Sequence, residues 1–285
     1  KGLQPQQELG VNSFKYGLIS STDTHIAAPG LVMDKNFPGH GGAGMGSGEG
    51  MPAGLADDLE YGPGGLAVRS AEDHTRDARF AAMQRREAYA TSGTRPVLRF
   101  FGGWDYPDDL CANSDMVARG YADGVPMGSD LPAQPAGALA PTFVIAASYD
   151  AGSAQYPGAP LQRIQLIKGT YLDGKLEETV LDVAGGSNNA GVDLNSCERH
   201  GEGHRQLCSV WTDREFNAEA QAFYYARVLE NPSCRWSQYA CADAGVRCDD
   251  PATIATGMEQ CCAAGHEKVI QERAWSSPIW YTPPG

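Results

Sequence analysis

The rhythm of apolar and polar positions changes near residue 94, and the change divides the chain. Beyond it, short β-branched and aromatic runs alternate with turn residues. Pro96 to Phe101, Thr142 to Ala147, Leu161 to Lys168 and Leu176 to Val183 read as strands, with Asp173-Gly174 as a tight turn between the last two. Ser209 to Thr212, Phe223 to Leu229 and Pro278 to Thr282 add more short strands. Strands separated by turn chemistry predict a β-sandwich over residues 95–285. Before the change, Phe14 to Ser20 predicts one strand. Residues 26–66 have little period, many glycines and Pro29, Pro38, Pro52 and Pro63, the pattern of a functional lid or a mobile loop. Residues 72–90 predict a helix, with Phe80, Met83 and several alanines as its apolar stripe and Asp73 or Thr75 as its cap. Residues 231–268 predict an irregular, partly helical excursion.

The predicted strand at 14–20 runs into Ser21-Thr22-Asp23-Thr24-His25. Residues two apart on a strand share a face, so Asp23 and His25 would project together as half of a metal site. A carboxylate and an imidazole suit zinc, manganese or iron. The competing reading is a turn in which Asp23 bonds nearby amides and His25 lies on the surface; the bare tripeptide favours it. In the loop that follows, His40 and Glu49 could approach such a site, against the simpler reading of His40 as a solvated loop residue.

Eight cysteines point to an oxidising compartment, hence a periplasmic or secreted chain. They are Cys111, alone, and Cys197, Cys208, Cys234, Cys241, Cys248, Cys261 and Cys262, crowded into the last third. About 105 pairings are open to eight cysteines. Adjacent Cys261 and Cys262 should take separate partners, and Cys197 with Cys208, bracketing a polar loop, is the pair we expect. The same loop reads as Cys197, His200, His204 and Cys208, a possible zinc set, but Gly201 and Gly203 interrupt any helix that would align the histidines, so a disulfide-closed loop is preferred. With 22 Lys and Arg against 35 Asp and Glu, the net charge of −13 argues against nucleic-acid binding. No apolar run approaches the roughly 18 residues of a membrane span. Asp105, Asp108, Asp109 and Asp115 lack the order of a calcium loop and read as a solvated acidic stretch.

Several stretches together resemble the C-terminal part of a bacterial family, domain of unknown function 3604, related to the PHP (polymerase and histidinol phosphatase) metal-dependent hydrolases. They are Phe14-Lys15-Tyr16-Gly17 with Ser21 to His25, Thr75-Arg76-Asp77-Ala78, Arg85 to Arg95, Phe100 to Trp104, Gly124 to Gly128, Leu161 to Gln165, Ala222 to Val228 and Gln271 to Tyr281. The resemblance implies an α/β plus β fold: residues 1–94 as the C-terminal portion of a PHP-like α/β barrel with a Gly-rich lid, and residues 95–285 as a disulfide-rich β-sandwich with cysteine-rich insertions. It implies that Asp23 and His25 are the last metal-binding motif of a hydrolase acting on a small phosphoester through metal-activated water. The His-x-His that opens such proteins is not found in this chain, so the resemblance places the remaining ligands in an N-terminal segment that would complete the barrel. The alternative is a secreted, non-catalytic binding or structural protein on the same scaffold.

Overall fold

The computed structural model describes residues 2–41 and 54–284. Its larger sheet has the order β1 (Leu66–Arg69), β2 (Ala88–Thr91), β14 (Arg273–Ser276), β11 (Gln221–Glu230), β6 (Leu161–Leu172) and β7 (Lys175–Gly185), with β15 (Ile279–Tyr281) also paired to β11. The smaller sheet runs β10 (Gln206–Thr212), β5 (Thr142–Ser148), β3 (Val97–Gly103) and β4 (Gly124–Pro126). All their ladders are antiparallel. Alternation along the strands decides which residues meet between the sheets. Leu98, Phe100, Phe143 and Ile145 from the smaller sheet pack on Ile164, Leu166, Tyr224, Ala226 and Val228 from the larger. Phe143 stacks on Phe100 and lies 4.3 Å, centroid to centroid, from Tyr224.

Most expected strands form, usually a few residues longer than their apolar runs. Asp173 and Gly174 have φ of 49° and 81°, the paired positive values of the hairpin turn that joins β6 to β7. The predicted strand at Pro278 to Thr282 is the second half of a broken pair. β14 and β15 lie end to end along β11, with Ser277 and Pro278 between them, and Pro278 has no N–H to donate.

The barrel expected of residues 1–94 does not form among the described residues. Their described part contains α1 (Leu3–Leu9), α2 (Arg76–Gln84) and the strands β1 and β2, which continue the antiparallel sheet beyond β14. The predicted helix over 72–90 is cut short for a visible reason. Thr75 caps α2, its hydroxyl accepting from the Ala78 N–H at 3.2 Å, but Arg86 turns left-handed at φ 60° and Ala88–Thr91 then enters the sheet, buried throughout. Burial between β1 and β14 overrides the helical preference of the alanines. The expected apolar stripe also faces outward: Phe80 and Met83 are exposed and Ala82 alone is buried on α2.

Four disulfides account for all eight cysteines. Cys111–Cys208 fastens the loop before α3 (Met116–Ala122) to β10, and Cys197–Cys234 ties the loop at Cys197 to the short strand that holds Cys234. Cys241–Cys261 and Cys248–Cys262 staple the excursion that carries α4 (Trp236–Asp243), so the adjacent cysteines do take separate partners. The expected Cys197–Cys208 pair is wrong, because the turn holding Cys111 packs on the smaller sheet and brings Cys111 to Cys208 on β10. Short ladders join β8 (Gly191–Val192) to β9 (Arg199–His200) and β12 (Ser233–Cys234) to β13 (Val269–Ile270). The stapled excursion has its own core of Trp236, Val246, Met258, Cys241 and Cys261, completed by Phe37 and Leu55 from the Gly-rich loop. The loop is thus anchored at both described ends.

Candidate functional site

The segment carrying Asp23 and His25 is extended but pairs with no strand. Side chains and single amides hold it instead. Arg86 Nη1 donates to the Lys15 carbonyl at 2.9 Å, and the Leu18 N–H donates to Ser277 Oγ at 2.9 Å. The Gly65 N–H donates to the Ser21 carbonyl at 2.8 Å. Two glycines permit this approach. A Cβ on Gly64 would lie 2.6 Å from Thr22 Cα, and one on Gly65 would lie 1.9 Å from the Thr91 carbonyl oxygen. The outer strand β2 and the break between β14 and β15 therefore fix the path of residues 15–22.

At the end of this track the backbone leaves the pleat. Asp23 has φ of 50°, left-handed for a residue with a side chain. The strand rule that put Asp23 and His25 on one face does not apply to it. Both residues are exposed, and neither side chain has a hydrogen-bond or ion-pair partner among the described residues. The His25 N–H donates to the His40 carbonyl at 2.9 Å.

His40 is not a solvated loop residue. It is 8 % exposed, and its Nδ1 lies 2.6 Å from Asp57 Oδ2, which also accepts the His40 N–H at 2.9 Å. The ring packs edge-on against Phe37 and Tyr61. Asp57, 1 % exposed, was given no role by sequence reasoning, since nothing local marks it as the partner of a histidine 17 residues away. A carboxylate on Nδ1 fixes the imidazole, an arrangement shared with metal-bound histidines. Glu49 lies outside the described residues.

The donor chemistry of Asp23 and His25 suits a divalent transition metal. Among the described residues, however, no three His, Cys, Asp or Glu side chains gather closely enough to hold one. Two ligands are offered here, not a closed site. The alternative zinc set is excluded outright: Cys197 and Cys208 are both consumed in disulfides with other partners.

A second polar cluster, unseen in the sequence, seals the junction between the Gly-rich loop, the stapled excursion and the larger sheet. Asp34 accepts the N–H of Trp236, first residue of α4, at 2.8 Å. Asp34 and Glu272 lie close enough to influence each other's ionisation, and Ser92 Oγ donates to Glu272. Burial raises both carboxyls above their ordinary range. Glu230 follows a bulge in β11 and is 1 % exposed. Neither of its carboxyl oxygens has a hydrogen-bond partner among the described residues, and burial pushes its pKa up to about 7. His266, bridging Ser237 Oγ and the Cys261 carbonyl, is held below its ordinary pKa by burial and serves the stapled core.

A family model described as protein of unknown function (DUF3604) matches residues 1–283. No curated protein and no solved structure matches the chain.

Proposed function

The chain belongs to the DUF3604 family, and we propose that Asp23 and His25 are two ligands of a divalent metal in a hydrolase that cleaves a small phosphoester. The observation that carries this reading is the contrast at Asp23. A left-handed, non-glycine backbone costs about 1 kcal/mol or more, and here it follows a half-buried track of hydrogen bonds, yet the Asp23 and His25 side chains have no partner among the described residues. Strain maintained where no contact needs it is a mark of a ligand-holding position. The bound metal would lower the pKa of a coordinated water and offset charge on the attacked phosphorus. Within the chain, Asp23 would supply an anionic oxygen, His25 a neutral ring nitrogen, and the His40 carbonyl would hold the His25 backbone in register. The remaining ligands would come from outside the described residues, as an N-terminal segment completing the site. Zinc, manganese and iron all fit the two donors.

The test is metal content and hydrolysis of bis-p-nitrophenyl phosphate by the full-length protein, with Asp23→Ala and His25→Ala. Both residues are exposed, so both variants should melt with wild type while losing metal and nearly all activity. Retention of metal and activity by Asp23→Ala overturns the proposal. The four disulfides fit an oxidising compartment, and we place the protein in the periplasm or outside the cell. No helix among the described residues is long and apolar enough to cross a membrane. A second reading, a non-catalytic binding module, is favoured by a cleft of about 1040 Å³ beside β7 and β10, whose wall includes Trp211 and the buried Lys168–Asp213 ion pair.

A further inference from the structure

A cavity of about 820 Å³ opens on the outer face of the smaller sheet, where β3 meets β1 and α3. No residue of the Asp23 loop lines it. Local geometry explains its walls. Val97 and Arg99 are two apart on β3, and both point away from the sandwich core, into which Leu98 and Phe100 are turned. Val117 and Tyr121 are four apart on α3 and so share a helix face. Val97, Val117 and Tyr121 are among the exposed large apolar residues of the chain, and all three line this one cavity.

Its charges are as unusual as its apolar wall. The chain carries a net charge of −13, yet three arginines, Arg69, Arg85 and Arg99, line this cavity against two carboxylates, Glu72 and Glu87. Arg85 Nη2 answers both acids, at 2.8 Å from Glu72 and 3.2 Å from Glu87. Glu87 is buried and also accepts from the Tyr121 hydroxyl. Burial, with the Glu87 carboxylate beside it, pushes the Tyr121 phenol up to about 12, so it remains a donor. Arg69 and Arg99 are left without a carboxylate among the described residues. Arg99 spends one N–H on Ser70 Oγ at 2.9 Å, and a guanidinium has five.

We propose that this cavity binds a small organic anion, with a carboxylate or phosphate head on Arg99 and Arg69 and an apolar body against Val97, Val117 and Tyr121. Guanidinium forks match both head groups bidentately. The Arg85–Glu87–Tyr121 network is closed on itself, so it shapes the site and leaves the two other arginines as its anion donors.

The experiment is isothermal titration of the full chain with phenyl phosphate, benzoate and benzyl alcohol, repeated on Arg99→Met and Arg69→Met. One anion or both should bind saturably at one site, more weakly as salt is raised, and benzyl alcohol should not. The stronger of phenyl phosphate and benzoate identifies the head group. Arg99→Met should weaken binding by about tenfold or more, the loss expected for a charged hydrogen bond. Arg69 is exposed on an outer strand, so Arg69→Met keeps the test valid if Arg99→Met lowers the melting temperature. Absence of saturable binding by both anions, equal binding of benzyl alcohol, or anion binding unchanged in both variants overturns the proposal.

Discussion

The buried carboxyl of Glu230 makes a sharp prediction, because its two oxygens lack hydrogen-bond partners among the described residues and its surroundings are mostly acidic. Asp150 adds like charge, Arg199 opposes it, Thr94 lies beside it, and Glu272, itself raised, is coupled to Asp34. Desolvation dominates and moves Glu230 from 4.5 up to about 7. Between those values the unfolded chain has released this proton and the folded chain keeps it, so stability falls as pH rises. The contribution is intact below about pH 4.5 and lost above about pH 7. At about 1.4 kcal/mol per pH unit, the difference corresponds to about 3 kcal/mol from this residue. Asp34 and Glu272, also raised, act in the same direction.

Glu230→Gln removes the titration while keeping the shape. We expect its stability relative to wild type to improve by about 2 to 3 kcal/mol between pH 4.5 and pH 8. The assay is urea unfolding with disulfides intact, followed by tryptophan fluorescence at several pH values. The difference between the two proteins is the useful quantity. His266, lowered by burial, contributes the opposite slope, losing stability as pH falls below about 6.5, and that slope is common to both. Parallel wild-type and variant profiles from pH 4.5 to pH 8 would refute the reasoning.

The disulfide pattern predicts a Cys111–Cys208 peptide in a non-reducing digest; a Cys197–Cys208 peptide would contradict the fold. Replacing Cys111 and Cys208 together by alanine should cost about 3 to 5 kcal/mol, since that bridge spans 97 residues, the longest of the four. Gly65→Ala would drive a methyl into the Thr91 carbonyl and should lower stability by about 2 kcal/mol or more in thermal melts. Ser277→Ala removes the hydroxyl that bridges the Leu18 N–H to the Ala88 carbonyl, so hydrogen exchange at Leu18 should quicken while β5 and β6 stay protected.

The strands of the sandwich were legible because period-2 burial writes itself into the sequence, and the Asp173-Gly174 turn because left-handed backbone selects its residues. The region before residue 95 was misread for the complementary reason. Ala88–Thr91 has helical composition and becomes a strand only because β1 and β14 flank it, and β14 lies more than 180 residues away in sequence. Phe14 to Ser20 has strand composition and forms none, because its neighbours are Arg86, Ser277 and a pair of glycines rather than a sheet edge. Composition reports a segment's preference; the partner that satisfies its backbone groups is a long-range fact. The same limit applies to Asp57, Glu230 and Glu272, whose partners are assembled from separate parts of the chain.

The N-terminal track shows how two parts of the chain depend on each other. Asp23 and His25 sit on an exposed loop, and a loop alone would let them wander. Arg86 follows α2, Ser277 sits at the break between β14 and β15, and Gly64 and Gly65 lead into β1. Each belongs to the sandwich, and each touches residues 15–22 or the turn beyond. The sandwich therefore sets the backbone path of residues 15–22 up to Asp23. If Asp23 and His25 hold a metal as proposed, Arg86 and Ser277 are positioning residues for a site they do not touch, and Ser277→Ala should loosen metal binding without removing a ligand.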